Sequence, residues 1–236
     1  MLSPNSKINC KLLLKTDDFI FLEKGPGIHS VAHNFEEKES VANWLLSVDP
    51  NLSSLPQKLE SGLLHRLDFE TSGVMVAARN LKAYEYLKSI WKEKKVIKEY
   101  KACVENLVKP GVYLAYIKNH PRSSKRVVVS DHKGPKSQLI MTEILSYIPL
   151  NFPSPSRGEG HRERVNDLAK THEITLRLVT GFRHQLRAHL AFLGSPILGD
   201  TLYHGLKAER LFLHAYRLAF PGVKGERLDV KSDKMN

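Results

Sequence analysis

Three short stretches of this sequence carry side chains whose type and spacing can do chemistry. The first is H-R-L-D-F-E-T-S-G, residues 65–73, where Asp68 follows Arg66 and stands ahead of Thr71, Ser72 and Gly73. A carboxylate on a loop leading into an apolar run suits nucleophilic or proton-transfer work, because rigid scaffolds present reactive groups on loops. An Asp in a turn more often caps a backbone amide than catalyses anything, so Asp68 alone does not decide. The second stretch is G-F-R-H-Q-L-R-A-H-L, residues 181–190. On a helix, Arg183 and Arg187 lie four apart and share a face. That face is either a solvated basic stripe or a cationic surface on which Arg187 holds a carboxylate or a phosphate. His184 and His189 are five apart, poor spacing for joint metal ligation from one helix, and read as structural or nucleic-acid-facing. The third stretch is K-E-Y-K-A-C-V, residues 98–104, in which Tyr100 shares a strand face with Ala102 and Val104. Its ring either packs at the border of the core or offers a stacking surface to a base that has left its helix.

These groups need elements to position them. Residues 11–23 read as two short strands around an Asp17-Asp18 turn, and residues 24–30 as a tight Gly/Pro connection. An amphipathic helix is expected over residues 36–48, with Val41, Trp44, Leu45 and Val48 on one side. Val74, Val76 and Ala78 alternate as in a half-buried strand. Asn80 then caps a helix with Leu81, Tyr84, Leu87, Ile90 and Trp91 at helical period, running out into charge at residues 92–95. Residues 96–104 alternate as a strand. Residues 118–136 are basic and turn-rich, suiting strands with mobile tips, and 149–166 read as an exposed insertion rich in Pro, Ser and charge. A strand over 172–180 places Ile174, Leu176 and Leu178 on one face. Gly181 turns the chain into a helix over 183–192 that buries Leu186, Leu190 and Leu193 and stops at Gly194. Leu211, Leu213 and Ala215 mark a last strand, and the tail after Pro221 reads as mobile at its end. Strands outnumber helices, which suggests an α+β domain on a mostly antiparallel or mixed sheet.

Composition narrows the partners. With 236 residues the chain can bury a core of its own, and one large domain is expected. Lys and Arg number 36 against 25 Asp and Glu, a net charge of +11 that favours a polyanionic partner. Cys10 and Cys103 stand apart with no CxxC pair, so reduced thiols and no structural metal are expected. A metal-dependent nuclease would draw on the 11 histidines, but their spacing supplies no ligand cluster. No apolar run is long enough to span a bilayer and no secretory signal opens the chain, which makes the cytoplasm the expected location.

Taken together the stretches resemble a known family. H-R-L-D-F-E-T-S-G is similar to the H-R-L-D-x-x-T-S-G signature of the RluA-type RNA pseudouridine synthases. G-F-R-H-Q-L-R-A-H-L-A-F-L-G-S-P-I-L-G-D-T-L-Y-H-G resembles that family's G-R-T-H-Q-I-R-x-H-L segment with its G-x-P-I-x-G-D-x-x-Y continuation. K-E-Y-K-A-C-V is similar to its K-x-Y-x-A-x-V strand, L-F-L-H-A-Y-R-L-A-F to its L-H-A-x-x-L-x-F ending, and residues 12–30 to its opening strand pair. The matches stand in the family's order from about residue 12 to 221.

The resemblance implies a pseudouridine synthase fold, a long, bent, mixed but mostly antiparallel sheet with flanking helices and a central basic cleft. It implies isomerisation of uridine in ribosomal or transfer RNA, with no cofactor, metal or membrane involved. The family's essential aspartate corresponds to Asp68, its base-stacking tyrosine to Tyr100, and the arginine that pairs with the aspartate to Arg187. His65, Arg66, Arg183 and Leu213 are the residues expected to meet substrate, Leu213 as apolar wall beneath the uracil. The chain departs from the pattern at Phe182–Arg183, where the family commonly has Arg then Thr, and at residues 24–27, where K-P-x-G becomes K-G-P-G. With about ten residues ahead of the first strand, no accessory RNA-binding domain is expected there, and substrate choice falls to residues 118–136 and 149–166. A monomer is the default. The competing reading is a non-catalytic RNA-binding or ribosome-assembly protein on the same fold. Retention of Asp68, Tyr100 and Arg187 speaks against it.

Overall fold

The computed structural model describes residues 8–32, 39–56, 60–150 and 171–232. In chain order these form strands β1 (Cys10–Lys15) and β2 (Phe19–Lys24), helix α1 (Val41–Val48), a 3-10 turn (Pro50–Ser54), β3 (Ser72–Ala78) and helix α2 (Leu81–Lys92). Then come β4 (Ile97–Val104), β5 (Gly111–Asn119), β6 (Val127–Ser130), β7 (Gln138–Pro149), β8 (His172–Leu178) and helix α3 (Gln185–Phe192). A 3-10 turn (Thr201–Tyr203), β9 (Leu213–Pro221) and β10 (Arg227–Lys231) complete the order. The chain divides into two compact units, residues 1–98 with 214–236 and residues 99–213.

The first unit is built on β1–β2–β3–β9–β10. All neighbours are antiparallel except β3 and β9, which run parallel through Ser72–His214 and Gly73–Ala215. Thr16 shapes the tight turn into β2, its hydroxyl accepting from the Phe19 amide at 2.9 Å. β2 and β3 are buried on both faces. Phe19, Phe21, Val74 and Val76 pack with Tyr84, Leu87 and Ile90 of α2 and with Leu218 and Phe220 of β9. β3 is therefore a central strand, where alternation alone had suggested a half-buried one.

α2 begins where its cap residue places it: the Asn80 side chain accepts from the Ala83 amide at 2.8 Å. Its buried positions are Ala83, Tyr84, Leu87 and Ile90, whereas Leu81 is 57% exposed, being the first helical residue and turned off the apolar stripe. α1 starts later than periodicity suggests. Ser40 is extended and caps it through the Asn43 amide, so residues 39 and 40 lie outside the helix, and residues 36–38 fall outside the described residues. The tail after Pro221 is not loose throughout. β9 has an edge to offer, and residues 227–231 pair with it, burying Leu228.

The second unit is an antiparallel sheet in the order β4–β8–β7–β5–β6. Residues 118–136 hold the end of β5, all of β6 and the turn between them. The 149–166 expectation falls mainly on 151–170, outside the described residues. Ala115, Ile117, Val127 and Ile140 pack against Ala188 of α3 and Tyr203. α3 begins at Gln185 because His184 adopts a left-handed conformation (φ 51°), which ends any helix running through it. Residues 185–190 are all buried, which rules out the solvated basic stripe, one of the two readings of this stretch.

Two substitutions test the cap and the stripe. Asn80→Ala should lower the unfolding free energy by about 1 kcal/mol in urea denaturation. Leu81→Ala should leave it within about 0.5 kcal/mol.

Candidate active site

Residues 63–71 form an irregular loop in the first unit, and its backbone is held almost residue by residue. The Ser30 hydroxyl donates to the Leu67 carbonyl at 2.9 Å and accepts from the Leu67 amide at 3.0 Å. The Gly27 amide donates to the Phe69 carbonyl at 2.9 Å, and the Thr71 amide to the Asp68 carbonyl at 3.1 Å. Lys24, fully buried, directs its ammonium to the carbonyls of Gly25 (2.8 Å), Phe69 (3.1 Å) and Thr71 (2.7 Å). Leu67, Phe69 and Thr71 are thus anchored on both sides of Asp68, whose side chain stays partly accessible. Burial pushes the Lys24 ammonium down to about 8, opposed by Cys10 and by the Asp68 carboxylate. A positive charge with its three N–H groups satisfied beneath the loop steadies both the peptide planes and the nearby carboxylate.

His65 opens the same loop and faces inward. Its Nε2 accepts from the Val76 amide at 3.0 Å, and its ring stacks on Trp91 with centroids 4.7 Å apart. Burial, and then the neighbouring Lys98 charge, hold it down at about 3, so it is the neutral Nδ1–H tautomer. These bonds tie the loop to β3 and α2. Arg66, the next residue, is exposed.

The end of the motif meets β9 and residue 232. Ser72 Oγ lies 2.8 Å from His214 Nδ1, and His214 Nε2 lies 2.9 Å from the Ser232 carbonyl. A carbonyl only accepts, so Nε2 carries the proton and Ser72 donates to Nδ1. Gly73 has φ 129°, and a Cβ there would collide with the Ala215 backbone. The Ser-Gly of one motif and the His-Ala of another, 142 residues apart for the Ser72–His214 pair, are therefore one packing unit. Spacing along the chain carries no sign of that pairing.

The second unit holds Tyr100, Arg187, Arg183 and Leu213. Tyr100 is 8% exposed on β4, opposite Leu176. Leu213 is buried at the start of β9. Arg187 is buried and grips Asp200 bidentately, Nε and Nη2 each 2.8 Å from a carboxylate oxygen, with the Tyr203 ring 5.6 Å from its guanidinium. Asp200 belongs to the G-D pair of the second motif, and its spacing alone assigns it no role. Arg183, by contrast, is exposed and precedes α3, so the two arginines do not share a helical face. His189 is fully buried and meets Thr142 Oγ1 at 3.0 Å, which makes it structural. His184 bonds the Tyr203 hydroxyl at 3.0 Å. Among the described residues no group of His, Cys, Asp or Glu is arranged to hold a metal ion, and no helix is long and apolar enough to cross a membrane.

Residues 18–192 match the family model described as RNA pseudouridylate synthase. A Buchnera aphidicola (subsp. Schizaphis graminum) protein named ribosomal large subunit pseudouridine synthase D is 32% identical over 198 residues, covering 82% of this chain and 54% of that protein. Its namesake in Xylella fastidiosa is 36% identical over 197 residues, covering 82% and 51%. The chain spans about half the length of these relatives. Among solved structures, human RNA pseudouridylate synthase domain containing 1 superposes with a TM-score of 0.70 at 21% identity, covering 98% of this chain and 86% of that one. That likeness is one of fold.

Arg187→Met should cost about 3–5 kcal/mol in denaturant unfolding, because it strands a buried carboxylate. Arg187→Met combined with Asp200→Leu should recover most of the loss; a single variant within about 1 kcal/mol of wild type would contradict the role of the pair. Lys24 gives a pH signature. Below about 8 it is charged both folded and unfolded; from about 8 to 10.5 the unfolded chain keeps a proton that the folded one has released. Unfolding free energy should therefore climb with pH across that window by up to about 3 kcal/mol, and Lys24→Met should lack this share of the climb.

Proposed function

Because this chain belongs to the RNA pseudouridylate synthase family, we propose that it isomerises uridine in structured RNA to pseudouridine, with Asp68 as the reacting carboxylate. The observation that carries the reading is the Asp68 loop. Its backbone is fixed at Leu67, Phe69 and Thr71 by Ser30, Gly27 and Lys24, while the carboxylate between them stays partly accessible. Such rigidity is what a nucleophile needs to meet a sugar carbon at attack distance, and what a turn-capping aspartate does not need.

The reaction breaks the N-glycosidic bond, turns the uracil and rejoins it to the sugar through carbon five. No electrons are gained or lost, so no redox partner is required. Asp68 either attacks the sugar, as the nucleophile of a retaining glycosidase does, or takes a proton from it in forming an elimination intermediate. A hydrolase would pair it with a second carboxylate to manage water. Glu70, two residues on, stands outside the family motif, which fits a reaction that must exclude water. Tyr100 is assigned to stacking on the target base and to helping carbon five lose its proton, and Leu213 to the wall beneath the uracil. Arg187 is assigned to keeping the site's carboxylate charge paired.

The substrate-facing roles divide differently from the motif alone. Arg66, exposed in the loop, is assigned to holding the duplex open during base flipping, which costs a few kcal/mol. His65 is assigned to positioning, since its ring and Nε2 are both engaged within the first unit. Relatives named for the ribosomal large subunit make ribosomal RNA the substrate class proposed first.

The test is a pseudouridine map of total RNA from cells with and without the gene, rescued by wild type or by Asp68→Asn. Loss of a site that only wild type restores is the expected result. Rescue by Asp68→Asn would overturn the assignment. Purified Asp68→Asn should unfold at the wild-type denaturant midpoint and still bind RNA.

A further inference from the structure

We propose that the turn between β5 and β6, together with Arg183, forms a seat for a phosphodiester of the RNA substrate. It rests on the reading of this chain as an RNA enzyme, but none of its residues is assigned to the reacting uridine itself.

The seat is a cavity of about 530 Å³ in the second unit. Arg122, Arg126, Arg183 and His120 contribute its charge and potential charge, and Ser123 and Ser124 add polar groups; among the described residues no carboxylate lines it. Pockets for apolar ligands are lined mainly by hydrophobic and aromatic side chains, and this one is not. Its volume admits a nucleotide unit rather than a lone ion. Three guanidinium groups without a lining counter-charge suit a phosphate, which arginine grips through paired N–H donors.

The turn is built to hold that arrangement. The His120 amide donates to the Arg126 carbonyl at 3.2 Å, closing the hairpin, and the Arg122 amide donates to His120 Nδ1 at 3.1 Å. Arg183 reaches across from the approach to α3 and donates through Nη1 to the Ser124 carbonyl at 2.6 Å. That bond uses one of its five N–H groups. Arg126 is fixed through Nη2, 3.1 Å from His204 Nε2, with its guanidinium 5.6 Å from the Tyr203 ring. Its Nε is buried and has no hydrogen-bond partner among the described residues. A guanidinium that lines the cavity with no carboxylate partner among the described residues is prepared for an anion from outside. Arg183 is also where this sequence departs from the family pattern, its guanidinium standing one residue later than the family's arginine. The departure reads as an adaptation of this contact.

The test uses the full chain carrying Asp68→Asn, so that bound RNA is not turned over, and a large-subunit ribosomal RNA transcribed in vitro. Binding is measured against KCl concentration. Arg122→Gln and Arg183→Gln should each weaken binding on the order of tenfold. Each should also flatten the slope of log K against log [KCl] by about 0.7–0.9 for every phosphate it no longer neutralises. Lys88→Gln, at an exposed lysine of α2, should leave both unchanged. Arg122 is exposed, so its variant should fold even if Arg126→Gln does not. Wild-type slopes in both arginine variants, or an equal weakening in Lys88→Gln, would overturn the seat even if the unmodified chain makes pseudouridine. Flattened slopes with no pseudouridine formed by the unmodified chain would keep the seat and reject the synthase reading. No RNA binding by the parent at any salt would reject both.

Discussion

A lysine ammonium placed where water cannot reach it must find acceptors or lose its charge, and Lys24 finds three backbone carbonyls, two of them in the loop that carries Asp68. Much of the first unit can be understood from that constraint. β2 is apolar on both faces up to Glu23, so the strand delivers its terminal lysine beneath the loop rather than to solvent. The carbonyls of residues 69 and 71 must then face inward, and Asp68, just ahead of them, keeps its side chain partly accessible. The charge is costly to bury, and the loop's geometry is what that cost maintains.

The second unit solves a similar problem around α3. Its residues 185–190 include Gln, Arg and His, all buried. Each has a named partner: Gln185 bonds the Thr180 hydroxyl and the Met141 carbonyl, Arg187 the Asp200 carboxylate, and His189 the Thr142 hydroxyl. A polar network of this kind contributes little net stability against an apolar core of equal volume. It does specify where each side chain stands, because any shift leaves a donor or acceptor unmatched.

Local order was legible in the residues wherever a local rule governs it. The paired strands around Asp17-Asp18, the cap at Asn80 and the alternation of Ile174, Leu176 and Leu178 all appear as read. The α+β class followed from them, and the family motifs located the candidate residues. What was not legible depends on partners distant along the chain. Arg183 and Arg187 have helical spacing, but a left-handed His184 intervenes. Leu228 and Val230 sit among charges and read as a tail, until β9 offers them an edge. Nothing in the spacing of Ser72 and His214 announces their bond, and nothing in the G-D pair at residue 200 announces a partner for Arg187. His65 belongs to a motif, yet its role is set by a backbone amide at Val76.

The Ser72–His214–Ser232 chain bears on the order in which the molecule can be completed. Ribosomal synthesis delivers Lys24, Ser30, His65 and β3 early, and the contacts that hold residues 67–71 can form among them. Ser72 must wait for His214, and His214 for the carbonyl at residue 232, after the whole second unit has been made. Contacts of such long sequence separation form late and slowly. The first unit is thus started before the second exists and locked after it is finished. The hydrogen-bond chain that latches the Asp68 loop to β9 can close only once residue 232 has emerged.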